Sequence, residues 1–294
     1  MGRGTRVTAG LLLICMMLLA TAGCGRQAPV GMLRDAIMNP DEVVAEIRDG
    51  LAAHAQTVTL HFVYEKELPD ELPSLAAAWV EAAFAETDDP AQGDYLRYQT
   101  GGYDIRTTCE PTAGGYDYTA VITPKYYCYL WQETAASEKF DAVMASFGFD
   151  DATSDYEKIR TIYAYLCENV IYDKVHKKNP HYYLRSTLYA ALVMRTATCQ
   201  GYSVTLYRML RAAGVPARII IGNAGGEYHA WNIVALDGQY YYLDATWDAG
   251  QETFAYFLRG ADHFSDHIPA DSFLSDAFFQ TYPVAREDYA QPLS

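Results

Sequence analysis

The apolar positions of this chain change period at intervals, and each change marks an element. Val43, Val44, Ile47 and Leu51 recur at helical spacing behind Pro40-Asp41-Glu42, which predicts a helix with an acidic first turn. "TVTLHFVYE" then alternates with period two, as a half-buried strand does. "LPSLAAAWVEAAFAE" returns to the helical period, opened by Pro73 and Ser74. Three strand-like runs follow, "YDIRTTCE", "YDYTAVIT" and "KYYCYLW", the first two joined by the turn "PTAGG". A helix over about 134–147 closes this half of the pattern.

The pattern starts afresh at "GFDDATSDYEKI". Ser154 and Glu157 read as a capping box, each side chain satisfying an orphan backbone N–H at a helix start. Ile159, Ile162, Tyr163, Leu166 and Val170 then share one helical face, and "LRSTLYAALVM" predicts a second helix. A third runs from Thr198, expected to cap it, through Val204, Tyr207, Leu210 and Arg211. Gly214 suits the left-handed position after a helix, and Pro216 forbids continuation. The strands "ARIIIG" and "HAWNIVAL" follow, and an Asp237-Gly238 turn leads into the return strand "QYYYLDATW". The fold class expected is α+β: a small α+β domain at 40–150 that shows no nucleophile with an evident base, then a second domain at 151–294.

The turn fixes a register with chemical consequences. A two-residue turn sets Leu236 opposite Gln239, and continuing away from it sets Asp244 opposite Trp231 and Thr246 opposite His229. Directly opposed residues share a sheet face, so His229, Trp231 and Asp244 project together, with His229 and Asp244 as diagonal neighbours. A slip of one residue would separate them. Cys199 meanwhile falls in the first turn of its helix, where unpaired N–H groups and the macrodipole favour a thiolate. Alone, Cys199 reads equally as a nucleophile or a packed thiol. A histidine oriented by a carboxylate, sharing a face downstream, turns the pattern toward a Cys-His-Asp triad.

Charge and cysteine usage narrow the setting. The chain of 294 residues carries a formal net charge of −15 and no basic stripe, which argues against nucleic acid. Arg3 and Arg6 precede the apolar run "GLLLICMMLLATAG", which is shorter than the roughly 20 residues a spanning helix needs. Ala22-Gly23-Cys24 is similar to the end of a bacterial lipobox, with Thr21 where an aliphatic residue is usual. That reading makes 1–24 a signal peptide, Cys24 the lipidation site, 25–39 a tether, and the folded part an extracytoplasmic, membrane-anchored protein. Cys109 and Cys128 lie in neighbouring strand-like segments, where a disulfide and two free thiols are both open. The 25 tyrosines fall in strand-like runs and read as packing before they read as a carbohydrate platform. His263 and His267, four apart, are the nearest approach to a metal pair, but no third ligand is evident and no metal centre is expected.

"IRTIYAYLCENVIYD", "TCQGYSVTLYRMLRAAGVPARIIIG" and "HAWNIVALDGQYYYLDATWD" together resemble the transglutaminase-like superfamily of bacterial proteins. The resemblance covers about 150–265. It implies a papain-like core, in which a helical subdomain presents the nucleophile against an antiparallel sheet, with Cys199 as nucleophile, His229 as general base and Asp244 as orienting carboxylate. Ala197 departs from the glycine that relatives often have two residues before the cysteine, so the loop there is expected to differ if that backbone needs positive φ. The implied activity is acyl transfer from an amide of a protein or peptide substrate through a thioester, with hydrolysis favoured over transamidation and no cofactor. The Cys199 N–H would serve the oxyanion, and Gln200 and Tyr189 are the side-chain candidates to complete the hole. A non-catalytic binding or scaffolding module of the cell envelope on the same fold is the alternative. Oligomeric state is not legible.

Overall fold

The computed structural model describes residues 5–9, 39–67 and 70–291. Two compact units emerge, Met1–Glu86 with Thr100–Tyr126, and Thr87–Gln99 with Tyr127–Ser294. The leader, lipidation and tether readings lie, apart from Thr5–Ala9 and Asn39, outside the described residues.

In the first unit, strands β1 (Thr5–Ala9), β2 (Val58–Tyr64), β3 (Thr100–Thr112) and β4 (Gly115–Tyr126) form an antiparallel sheet in the order β1-β3-β4-β2. The leader pattern does not anticipate β1, which pairs with Tyr103–Thr107. Helix α1 (Pro40–Ala52) starts where the Asn39 side chain accepts from Asp41 N, and it buries Val43, Ile47 and Leu51 as its period requires. Helix α2 (Leu72–Ala83) adds Trp79, whose ring meets Phe62 edge-on at 6.2 Å while Phe62 stacks on Tyr118 at 5.2 Å.

The second unit carries the remaining elements. They are α3 (Asp94–Gln99), α4 (Leu130–Ser146), α5 (Asp155–Asn169), the short parallel pair β5 (Ile171–Tyr172) and β6 (Thr196–Ala197), and α6 (Cys199–Ala212). After these come β7 (Ala217–Ala224), β8 (Glu227–Leu236), β9 (Gln239–Leu243), α7 (Ala245–Asp248), β10 (His267–Pro269) and α8 (Asp276–Thr281). The four longer-range strands form one antiparallel sheet, β10-β7-β8-β9. Helix α6 is buried on nearly every side from Cys199 to Leu210, as a helix enclosed by other elements must be. One apolar cluster joins Phe140 of α4, Ile162 of α5, Tyr207 of α6, and Ile219 and Val234 of the sheet. This is the expected α+β class, with helices packed on an antiparallel sheet.

The expected division at 150/151 gives way to a different one, because α3 and α4 pack into the second unit's core. Arg208 of α6 lies 4.6 Å from the ring centres of Tyr95 and Phe140 and donates to the Tyr95 hydroxyl, Glu133 and Ser137. Asp94, 2 % exposed, accepts from Arg218 Nε at 2.7 Å and from Ile219 N at 2.8 Å. "KYYCYLW" is also shorter as a strand than its composition suggests: β4 stops at Tyr126, and α4 starts at Leu130 once Gln132 Oε1 accepts from Tyr129 N. "LRSTLYAALVM" is a 3-10 turn (Tyr183–Ser186) and a π-helical turn (Ala190–Met194) rather than one helix. The Thr187 hydroxyl donates to Leu184 O and accepts from Ala190 N, offering the backbone an alternative to helical bonding. Cys109 and Cys128 are both free thiols, Cys109 on β3 of the first unit and Cys128 before α4 of the second.

Strand β10 reaches the sheet only because residue 222 has no side chain. A Cβ at Gly222 would fall 2.1 Å from Ile268 O and 2.9 Å from Pro269 Cα. Gly222→Ala is therefore expected to push β10 off β7 and to cost about 1–3 kcal/mol, the usual range for overpacking. Urea unfolding of the variant measures it, and an unchanged midpoint would contradict the tight approach.

Candidate active site

The nucleophile candidate sits on the most enclosed helix of the second unit. Thr198 occupies the N-cap position of α6, but its side chain makes no capping bond. Instead its N–H donates to Arg185 O at 2.9 Å, and its hydroxyl lies 3.4 Å from the same carbonyl. The first N–H groups of α6 are thus left without a side-chain cap. Ala197 is extended, paired with Tyr172, so no positive φ is needed there; the left-handed residue is Arg195, at φ 58. Gly201 allows the preceding loop to close on the helix, since a Cβ would meet Ala197 Cβ at 2.8 Å and Arg185 O at 2.9 Å. Cys199 stands at this start, 8 % exposed.

The hairpin keeps the register that its turn dictates. Asp237 and Gly238 both have positive φ, 51 and 81, and the ladder runs from Leu236↔Gln239 to Asn232↔Leu243. Strand β9 ends there, so Asp244 and Thr246 leave the ladder before facing Trp231 and His229. Asp244 N donates to Tyr256 O, and the side chain turns back to cap α7, Oδ1 accepting from Thr246 N at 2.8 Å and Trp247 N at 3.3 Å. Its Oδ2 accepts from His229 Nε2 at 2.8 Å. The face-sharing inference therefore holds although the last ladder pairs do not form. The Cys199 side chain lies beside the same His229 ring, near enough to act on its ionisation.

These contacts set the electrostatics. Burial pushes the His229 pKa down, but hydrogen bonds and charge from Asp244 and Cys199 outweigh it and raise it to about 10. Burial likewise pushes Asp244 up, and the bonds from His229 and His267 more than reverse it, holding the carboxyl below its ordinary value. The other buried thiols lack such a partner. Burial and the neighbouring Glu133 push Cys128 up to about 12, and burial with Asp248 and Asp244 raises Cys167 further.

A polar cleft of about 390 Å³ reaches His229 and is lined by Tyr172, Lys174, Tyr228, Thr246 and Trp247 among others. Trp247 forms its wall, 5.6 Å from the His229 ring, whereas Trp231 is wholly buried in the core. The Tyr172 and Tyr228 rings lie near enough to Cys199 for its charge to act on both phenols. Of the side-chain oxyanion candidates, Gln200 commits its amide nitrogen to Tyr98 O at 2.6 Å, and Tyr189 packs edge-on against Trp131 at 5.7 Å. His263 and His267 do not form a helical pair. His263 binds Asp288 from a 3-10 turn (Ala261–His263), whereas His267 lies on β10 with Nε2 3.1 Å from Asp244 Oδ2. Pro269 was the available signal, because the residue before a proline is driven to extended backbone. The nitrogens of His229 and His267 lie close enough to Asp244 for a metal ion to be considered. Both instead point at the same oxygen as hydrogen-bond partners, and a cation would have to break both bonds.

Residues 145–245 match the family model described as the transglutaminase-like superfamily. The chain is 31% identical over 114 residues to the kyphoscoliosis peptidase of Mus musculus and 30% identical to that of Homo sapiens. Each match takes in 34% of this chain and 17% of the relative, so the chain spans about a sixth of the length of those proteins. Among solved structures, a TGase crystal structure superposes over 71% of this chain and 55% of its own, at 21% identity and a TM-score of 0.35. A protein of Cytophaga hutchinsonii solved as a candidate cysteine protease covers 52% of this chain and 61% of its own, at 14% identity and a TM-score of 0.32.

The raised pKa of His229 makes stability depend on pH. A proton held more tightly in the folded state stabilises it fully below the unfolded value of 6.5, and that contribution disappears as the pH rises through about 10. The difference in unfolding free energy between wild type and His229→Gln is expected to be on the order of a few kcal/mol near neutrality and to shrink with rising pH. Denaturant titrations across that range check the sign; a difference that grows with pH would contradict it.

Proposed function

We propose, on the premise that residues 145–245 are a transglutaminase-like core, that this chain is a thiol enzyme acting on amide bonds through Cys199, His229 and Asp244. The observation that carries the reading is one ring, His229, bonded to Asp244 at 2.8 Å through Nε2, with the Cys199 side chain beside it. In the resting pair the proton of Cys199 resides on the His229 ring, and Sγ attacks the amide carbonyl carbon. Negative charge on the carbonyl oxygen falls where the uncapped N–H groups of α6 begin, so the backbone N–H of Cys199 is the donor assigned to it. Collapse expels the amine with the proton from His229 and leaves a thioester. Water then gives a proton to His229, attacks the thioester, and the carboxylic acid leaves as Cys199 is restored. Asp244 orients the ring and stabilises its cationic form in both halves.

Hydrolysis is proposed over transfer to an amine, the polar cleft that reaches His229 giving water a way to the base. A protein or peptide is the substrate class proposed. The leader pattern supports placement outside the cytoplasm through lipid on Cys24. Among the described residues, no helix is long and apolar enough to cross a membrane.

Iodoacetamide at mildly acidic pH followed by peptide mapping tests the nucleophile. Cys199 is expected to alkylate at least about 100-fold faster than Cys128 or Cys167, and His229→Ala to lower its rate by about 10²–10⁴-fold, the span of a general base. Equal rates at the three thiols, or no effect of His229→Ala, would remove the basis for catalysis and favour a binding module.

A further inference from the structure

His267 takes no part in the mechanism above, yet its side chain is 0% exposed and it faces the triad. Its Nε2 lies 3.1 Å from Asp244 Oδ2, the same oxygen that takes the His229 bond. Its Nδ1 lies 2.8 Å from Asp266 Oδ1, and Asp266 Oδ2 accepts from the Tyr256 hydroxyl at 2.8 Å. Carboxylate oxygens only accept at this geometry, so both ring nitrogens must donate, and a ring that donates twice carries two protons and a positive charge. Aromatic faces complete the enclosure: Phe264 stacks at 4.0 Å, Trp247 lies at 4.5 Å and Trp231 meets the ring at 5.0 Å. Such a box of π-systems favours a cation.

We propose that His267 is a fourth member of the site, a positioning residue whose cationic ring clamps the Asp244 carboxylate beneath His229. This inference rests on the triad reading and deepens it by naming what holds the acid. The clamp has two effects. It fixes Oδ2 so that the carboxylate cannot rotate away from His229 while Oδ1 stays on the start of α7. It also places a second positive charge beside Asp244, with ring centres of the two histidines 5.4 Å apart, so His229 receives less than the full attraction of that carboxylate. The titratable groups facing the His267 ring are Asp244, Asp266, His229 and Tyr256. His267 thus restrains the basicity of His229, and the site trades some stability of the imidazolium for a ring that can return its proton to the departing amine.

The test uses three variants and one spectrum. His267→Phe keeps the stacking and removes both donors; His267→Gln keeps a neutral donor near the Nε2 position; Asp266→Asn removes the outer anchor. Iodoacetamide alkylation of Cys199 in His267→Phe is expected to slow by about 10–100-fold, the cost typical of losing an outer-shell partner of a histidine–carboxylate pair. The alkaline limb of its pH profile should move upward, because the Asp244 charge then acts on His229 undivided. His267→Gln should recover part of the rate, and Asp266→Asn should move the limb in the same direction as His267→Phe. Wild-type rates and an unmoved limb in all three would overturn the proposal while leaving the triad standing. Absent activation of Cys199 in the wild type would instead defeat the triad reading. Where a variant does not fold, ¹⁵N NMR of the folded Cys199→Ala protein decides: both nitrogens of His267 are expected to carry protons at neutral pH, and one bare nitrogen would overturn the assignment.

Discussion

Asp244 holds its negative charge at 1% exposure, and a buried charge persists only where hydrogen bonds replace its water. All of its acceptor capacity is used: two backbone N–H groups at the start of α7, His229 from β8 and His267 from β10. The donors come from three elements, so the carboxylate fixes where β9 ends, where α7 begins and how close β10 must come. The close approach at Gly222 belongs to the same constraint, since β10 carries the last donor. A neutral or misplaced side chain at 244 would leave four donors from three elements unmet at once.

Helix α6, which carries Cys199, is tied to this arrangement by a second buried polar residue. Asn232, 1% exposed on β8, donates to Ser203 O on α6 and to Arg218 O on β7. It stands three positions after His229 on the same strand. The helix that carries Cys199 is therefore pinned to the strand that carries His229 through a buried amide whose protons are met by those two carbonyls. Asp248 does the same for the following loop, accepting from the Tyr163 hydroxyl and from Ala255 N and Tyr256 N. Tyr256 in turn places its carbonyl on Asp244 N and its hydroxyl on Asp266.

What the sequence made legible was local or periodic. The Asp237-Gly238 turn has one comfortable geometry, and from it the side-chain parity of two strands follows without knowledge of anything else. The α5 capping box and the Gly214-Pro216 stop are equally local, and both stand as read. Three of the misreadings involve long separations. Thr198 does not cap α6 because Arg185, far back in an irregular loop, offers its carbonyl to the same residue. Helix α4 joins the second unit because Arg208 and Tyr95 bind Glu133, and no window of neighbouring residues contains that pairing. His267 was weighed with His263 because spacing was the only relation available, whereas its partner is 23 positions away across a sheet edge.

Burial alone does not distinguish Cys199 from Cys128. Cys128 is 7% exposed and Cys199 8%, a difference without chemical meaning. What differs is the sign of the neighbour. Cys128 faces the Glu133 carboxylate at 3.9 Å, which can only accept a proton's hydrogen bond and repels a thiolate, so the thiol is held protonated. Cys199 faces a histidine that Asp244 keeps in position and charged. Two cysteines of equal accessibility thus have neighbours of opposite charge, and the neighbour of Cys199 is placed by a hairpin register rather than by anything in the cysteine's own helix.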